Sequence, residues 1–169
     1  MSAAAPAFSV RAADGADAAF LWIMLTYAAS MQPGGEDSVA AAQADPYLRT
    51  YVEGWVRPGD VGVVACADGA DARPLGAAWV RPGLQLAEPG APELATAVLP
   101  GARGLGLGTA MMRALFARAA GSARAIVLSV REENPALHFY ERLGFARGRS
   151  VRNRVGGVSF VMRRALGAR

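Results

Sequence analysis

The sequence predicts an α+β (mixed α/β) fold, a mostly antiparallel sheet flanked by helices, on three observations. Two apolar runs of strand length, "VGVVACA" (61–67) and "PLGAAWV" (74–80), follow each other across the slightly long loop "DGADAR", the order of a hairpin. A third run, "AIVLSV" (125–130), is continuously apolar, the pattern of a strand covered on both faces. Helix-length segments with their own start and stop residues precede and separate these runs. The 169 residues contain no internal repeat and no dividing linker, so one domain over 1–169 is expected.

In chain order, "FSVRAAD" (8–14) reads as a first strand, and Asp14 as the cap of a helix running to about Met31. "QPGGEDS" breaks that helix. A second helical region, about 36–56, places Tyr47, Tyr51 and Trp55 at i, i+4 and i+8, one face of a helix. "RPGD" (57–60) stops it, and the hairpin strands come next. After a Pro/Gly-rich loop, "ELATAVL" (93–99) is a further strand closed by Pro100. A glycine-dense stretch then opens a helix that continues to Ala120, with Gly121 just beyond. "ENPALHFYERLGF" (133–145) has Asn134 as cap, Pro135 at the first helical position and Gly144 as terminator. Strands near 146–152 and 157–163 complete the chain.

Composition narrows the chemistry. Hydrophobic residues make up 53% and charged residues 19%, the balance of a packed globule. One cysteine, Cys66, excludes an internal disulfide framework and fits a reducing, cytoplasmic compartment; with the single His138 it also leaves no structural zinc cluster, so no metal is expected. Cys66 reads as a buried thiol and His138 as a surface residue. The run "AAFLWIMLTYAASM" (18–31) is too short to span a bilayer and comes after Asp14 and Asp17, not the basic residues of a signal peptide. All eighteen basic residues are arginine, and from Arg147 onward there are seven arginines and no acid. A net charge of +4 does not point to nucleic acid. The terminal arginines read either as a solvated hairpin or as attraction for an anionic ligand.

The stretch "GARGLGLGTAMMRAL" (101–115) carries the strongest functional signal. Glycine this dense costs backbone entropy, and it sits between a strand and a helix, where helix-terminal amides can hold an anion. A Walker loop needs a lysine, and this chain has none. The dinucleotide fingerprint needs glycine five residues on, where Thr109 and Met111 stand instead. No G-x-S-x-G is present.

Arg103, Gly106 and Gly108 do fit the R-x-x-G-x-G spacing, and here the sequence resembles the GNAT superfamily of N-acetyltransferases. "AVLPGARG", "IVLSV" and "NPALHFYERLGF" are similar to that family's later motifs in their usual order, over about 93–146. The resemblance implies a central sheet of six to seven strands with about four helices and a splay between strands 4 and 5. It implies acetyl-CoA as cosubstrate, its pyrophosphate held by Arg103, Gly104, Leu105, Gly106, Leu107, Gly108 and Thr109. Thr96, Ala97 and Val98 would meet the pantetheine arm. Asn134 would contact the cofactor, although its interval to Tyr140 is one residue shorter than in many members. Tyr140, also at the cofactor, would be general acid to the departing thiolate.

The general base is less direct. Ser129 stands where some relatives carry a glutamate, and serine is too weak a base alone. Glu93, opening the strand before the cradle, is the leading substitute; Glu132 and Glu133 rank after it. The acceptor pocket would draw on Trp22, Tyr27, Tyr47, Tyr51, Trp55 and Trp79, with Asp37, Asp45, Glu53 and Asp60 as groups for a cationic amine, or else as core and solvated residues. The expected activity is acetyl transfer from acetyl-CoA to a primary amine of a small molecule or peptide, without a membrane partner and with a homodimer left open. The alternative is a catalytically silent acyl-CoA-binding module with an arginine-rich C-terminal interaction surface.

Overall fold

A computed structural model of the chain describes residues 7–29, 36–86 and 88–167. It contains strands β1 (Phe8–Ala12), β2 (Val61–Ala67), β3 (Pro74–Arg81), β4 (Glu93–Val98), β5 (Ala125–Arg131), β6 (Ala146–Arg152) and β7 (Val158–Ala165). Helices are α1 (Ala18–Ala28), α2 (Glu36–Ala44), α3 (Leu107–Ala119) and α4 (Ala136–Arg142). The seven strands form one sheet in the order β1-β2-β3-β4-β5-β7-β6. Every pairing is antiparallel except β4 with β5, which is parallel and limited to Glu93 opposite Val127. The two strands therefore part almost where they begin, as expected of strands 4 and 5.

Alternation along the strands feeds two cores, one on each face. Val63, Ala78, Val80 and Leu94 pack with Leu107, Met111, Met112 and Leu115 of α3. Their neighbours Val64, Ala77, Trp79 and Ala95 pack instead with Leu21, Met24 and Leu25 of α1 and with the 48–55 segment. That α1 is apolar almost all round reflects its place: it lies over the sheet and under α2.

Three boundaries differ from expectation. Asp14 does cap, in a reciprocal box with Asp17, but it caps a 3-10 turn, Gly15–Asp17, ahead of α1. The expected end of that helix near Met31 and most of the breaker "QPGGEDS" lie outside the described residues, as does the side chain of Asp37. The second helical region is not continuous to 56. It stops at Ala44 and resumes as a 3-10 turn, Leu48–Tyr51, because the Asp45 carboxylate accepts the Tyr47 and Leu48 amides at 2.8 and 3.0 Å and turns the chain. α4 begins at Ala136, with the Asn134 side-chain oxygen accepting its amide at 2.9 Å.

One buried ion pair fastens the 48–56 segment to β3. Arg81, fully buried, grips both oxygens of Asp60 at 2.8 and 2.7 Å and donates to the carbonyls of Thr50 and Glu53, each at 2.8 Å. Trp79 donates its indole N–H to the Tyr51 carbonyl at 2.9 Å. Among the described residues no helix is long and apolar enough to cross a membrane.

Candidate active site

Divergence of β4 from β5 opens a cavity of about 400 Å³. Leu94, Ala95 and Thr96 form one wall; Leu128, Ser129, Val130 and Arg131 form the other. Asn134 and Tyr140 of the α4 segment lie at one side, and the end of α1 with Tyr47, Leu48 and Tyr51 at the other. The β6–β7 turn region, with Arg149, Arg152 and Arg154, completes the lining. Along β4, burial gives way after Ala95, so Thr96, Ala97 and Val98 are half-buried beside an unpaired strand edge. The Thr96 hydroxyl itself donates to Ala77 O at 3.0 Å.

Past β4, a 3-10 turn, Pro100–Ala102, leads into the glycine loop. Gly104 and Gly106 have φ of +77° and +84°, and a Cβ built on either meets nothing within 4 Å. Two left-handed residues thus turn the chain while leaving open space over the backbone. Leu107 is fully buried and anchors the start of α3, whose first amides have no intrahelical acceptor. Gly108 is glycine for a different reason: its Cβ would sit 3.3 Å from Cζ of Phe139 on α4. Arg103 is exposed beside the loop. Such a surface of bare amides at a positive helix end suits a diphosphate.

Tyr140 faces the cavity with its ring packed on Phe139 and edge-on against Phe145, centroids 5.5 and 5.7 Å away. Burial pushes its hydroxyl up to about 12. Glu93 is buried and lies on the α1 side of β4, with Ala95. The Tyr51 hydroxyl donates to one of its oxygens and the Leu86 amide to the other at 3.2 Å. Burial raises the Glu93 carboxyl above the ordinary carboxylate range, against the downward pull of the Tyr51 hydroxyl and the backbone amides. Tyr51 is raised as well, first by burial and then by the neighbouring charge of Glu93.

Other candidates fall elsewhere. Glu132 and Glu133 are exposed, and Ser129 presents an exposed side chain to the cavity. Of the six aromatic residues named for the acceptor pocket, Tyr47 and Tyr51 line the cavity; Trp55 and Trp79 are core, and Trp22 and Tyr27 pack at the edge of that core. The acidic set for a cationic amine is otherwise engaged: Asp60 is buried on Arg81, Asp45 is paired with Arg154, and Glu53 is exposed near Arg49 at 3.8 Å. Cys66 is buried, and His138 is exposed, 3.2 Å from Glu141. Sequence reasoning misses the tie between Tyr51 and Glu93. Helical spacing relates Tyr51 to Tyr47, and no local pattern announces a partner 42 residues away.

A model of the acetyltransferase (GNAT) family matches residues 25–145, which include the cradle, both walls of the cavity and Tyr140. The chain belongs to the GNAT acetyltransferase family. It is an N-acetyltransferase, and its family uses acetyl-CoA as cosubstrate. Among solved structures it is similar to a GCN5-related N-acetyltransferase from Kribbella flavida, at 25% identity over 95% of this chain and 98% of that one, TM-score 0.66. The Escherichia coli ribosomal-protein-S18-alanine N-acetyltransferase shares the fold at 18% identity over 96% of each chain, TM-score 0.67. A spermidine N-acetyltransferase chimera from Vibrio cholerae and hSSAT does so at 16% identity, covering 94% of this GNAT chain and 95% of its own, TM-score 0.67. No curated protein matches the sequence.

Proposed function

We propose that this GNAT protein transfers an acetyl group from acetyl-CoA to the primary amine of a small molecule or peptide by direct attack. The observation that carries the reading is one continuous arrangement: open backbone at Gly104 and Gly106, an unpaired β4 edge, and Tyr140 on the wall of the adjoining slot. Acetyl-CoA supplies an acetyl group activated as a thioester at one end and phosphates at the other. The amides of Leu105 through Thr109 would hold the diphosphate, with Arg103 adding charge from solvent. The main chain of Thr96, Ala97 and Val98 would receive the extended arm as a neighbouring strand would. Asn134 would serve mainly by fixing the start of α4, since its oxygen is already engaged by Ala136.

Tyr140 keeps its proton throughout the neutral range and holds it in a site screened by Phe139 and Phe145. A proton donor is worth most where negative charge develops on a leaving thiolate away from water, roughly 10²–10⁴-fold. Glu93 would accept the amine's proton through Tyr51. The hydroxyl takes a proton from the nitrogen as it passes its own to the carboxylate, so neither group need be left as a tyrosinate.

The test is thiol release from acetyl-CoA across an amine panel, with Tyr140→Phe beside the parent. Turnover of the variant should fall by about 10²-fold or more with cofactor affinity within about twofold. Unchanged turnover with chemistry rate-limiting removes the acid role. Cofactor binding without thiol release from any amine leaves the silent binding module.

A further inference from the structure

We infer that the acceptor amine carries an anionic group, a carboxylate or a phosphate, at the end remote from the reacting nitrogen. This rests on the acetyl-transfer reading and names the substrate class of that same cavity. The observation is its charge. Arg131, Arg149, Arg152 and Arg154 all line the cavity, and among the described residues no aspartate or glutamate does. Only Arg154 has a carboxylate partner, Asp45, and it is held stacked over Tyr47, 5.3 Å from the ring. Arg152 donates to the Gly156 carbonyl at 3.2 Å. The side chains of Arg131 and Arg149 make no hydrogen bond or ion pair with any described residue.

Four guanidiniums bordering one open cleft, two of them without a side-chain partner, raise the local concentration of anions and oppose cations. Arginine is also the side chain whose planar fork matches a carboxylate or phosphate with two parallel hydrogen bonds. The arginines cannot be assigned to the cofactor's diphosphate by proximity, because no residue of the glycine loop lines this cavity. Arg131 stands at the end of β5, whereas Arg149 and Arg152 lie on β6 and Arg154 on the turn after it, where Arg154 stacks on Tyr47. An acceptor lying in this cleft would place its amine at Tyr51 and Tyr140, its body on Leu25, Leu48 and Tyr47, and its anion at Arg149 and Arg152. The carboxylates that would have welcomed a polyamine are turned away, on Arg81 and Arg154.

Matched amines test this: butylamine, 4-aminobutyrate and 1,4-diaminobutane, with ethanolamine against aminoethyl phosphate as the phosphate arm. At least one anionic member should show kcat/KM at least tenfold above its neutral counterpart, mainly through KM, and the diamine should be poorest. Which arm gains separates carboxylate from phosphate. Arg149→Gln combined with Arg152→Gln, both exposed positions, should raise KM for the anionic member about tenfold, with kcat and melting temperature little changed. A diamine preferred over both anionic compounds, or an anionic preference untouched by the double variant, overturns the proposal while leaving acetyl transfer standing. Should none of these amines be acetylated, inorganic phosphate and benzoate are titrated against protein saturated with coenzyme A. Weakening of at least one of them by the double variant supports the arginine site, and no binding of either overturns it. Failure to bind coenzyme A at all is instead the failure of the acetyl-transfer reading.

Discussion

Glu93 and Tyr51 show how much one side-chain pair can decide. A carboxylate at the surface titrates near its ordinary value; this one is buried against an apolar wall and is raised by that burial. Glu93 accepts a proton only while ionised, so activity should be lost as pH falls through its raised pKa, at a higher pH than an exposed glutamate would dictate. A kcat/KM profile should therefore show an acid limb that Glu93→Gln removes together with most of the rate. Tyr51→Phe should lower the rate similarly while leaving Tyr140 intact; an unaltered limb in both variants assigns the base elsewhere. Tyr140, held near 12, should add no alkaline limb below about pH 10. Little of this is legible in the letters. Strand position marks Glu93 out, whereas its burial and its partner depend on a turn that folds back from forty residues away.

At the scale of elements, the loop into α3 is the most readable part of the chain, because glycine at positive φ and a backbone left uncovered by side chains leave their mark in the letters themselves. Its test separates strain from space. Asparagine tolerates a left-handed backbone, so Gly106→Asn should keep the fold but place atoms over the cradle. Coenzyme A affinity should fall at least tenfold with a melting temperature within a few degrees of the parent; retained affinity would remove the cradle from its assigned role. The segment after α2 is the least readable. Tyr47, Tyr51 and Trp55 share a helical period, yet Asp45 ends the helix and the Arg81–Asp60 pair holds the turn beyond it. Capping by one carboxylate outweighs a spacing match, since two backbone bonds at the break act locally and the periodic pattern does not. The family-like order over 93–146 lets the sheet's later strands be placed, while the first half rests on period and punctuation alone.

Over the whole molecule, the central strands of the sheet are covered on both faces and lie between the two cores. Arg81 is one place where that arrangement holds a charge in its interior, fully satisfied by a carboxylate and two carbonyls. Asp60→Ala should cost about 3–5 kcal/mol, measured by denaturant unfolding, because it strands a buried guanidinium. Exchanging both Arg81 and Asp60 for apolar residues of similar size should cost less than the single change. If the single variant is near neutral, the pair does not organise the segment that carries Tyr51. The parallel junction between β4 and β5 has a different meaning at this scale. Seven strands are joined by ladders everywhere except at one junction, where a single residue pair spans the gap. On the proposed reading, a guest lying along β4 would complete an interrupted sheet, so recognition and folding would draw on the same backbone groups, and the protein would be most sheet-like when occupied.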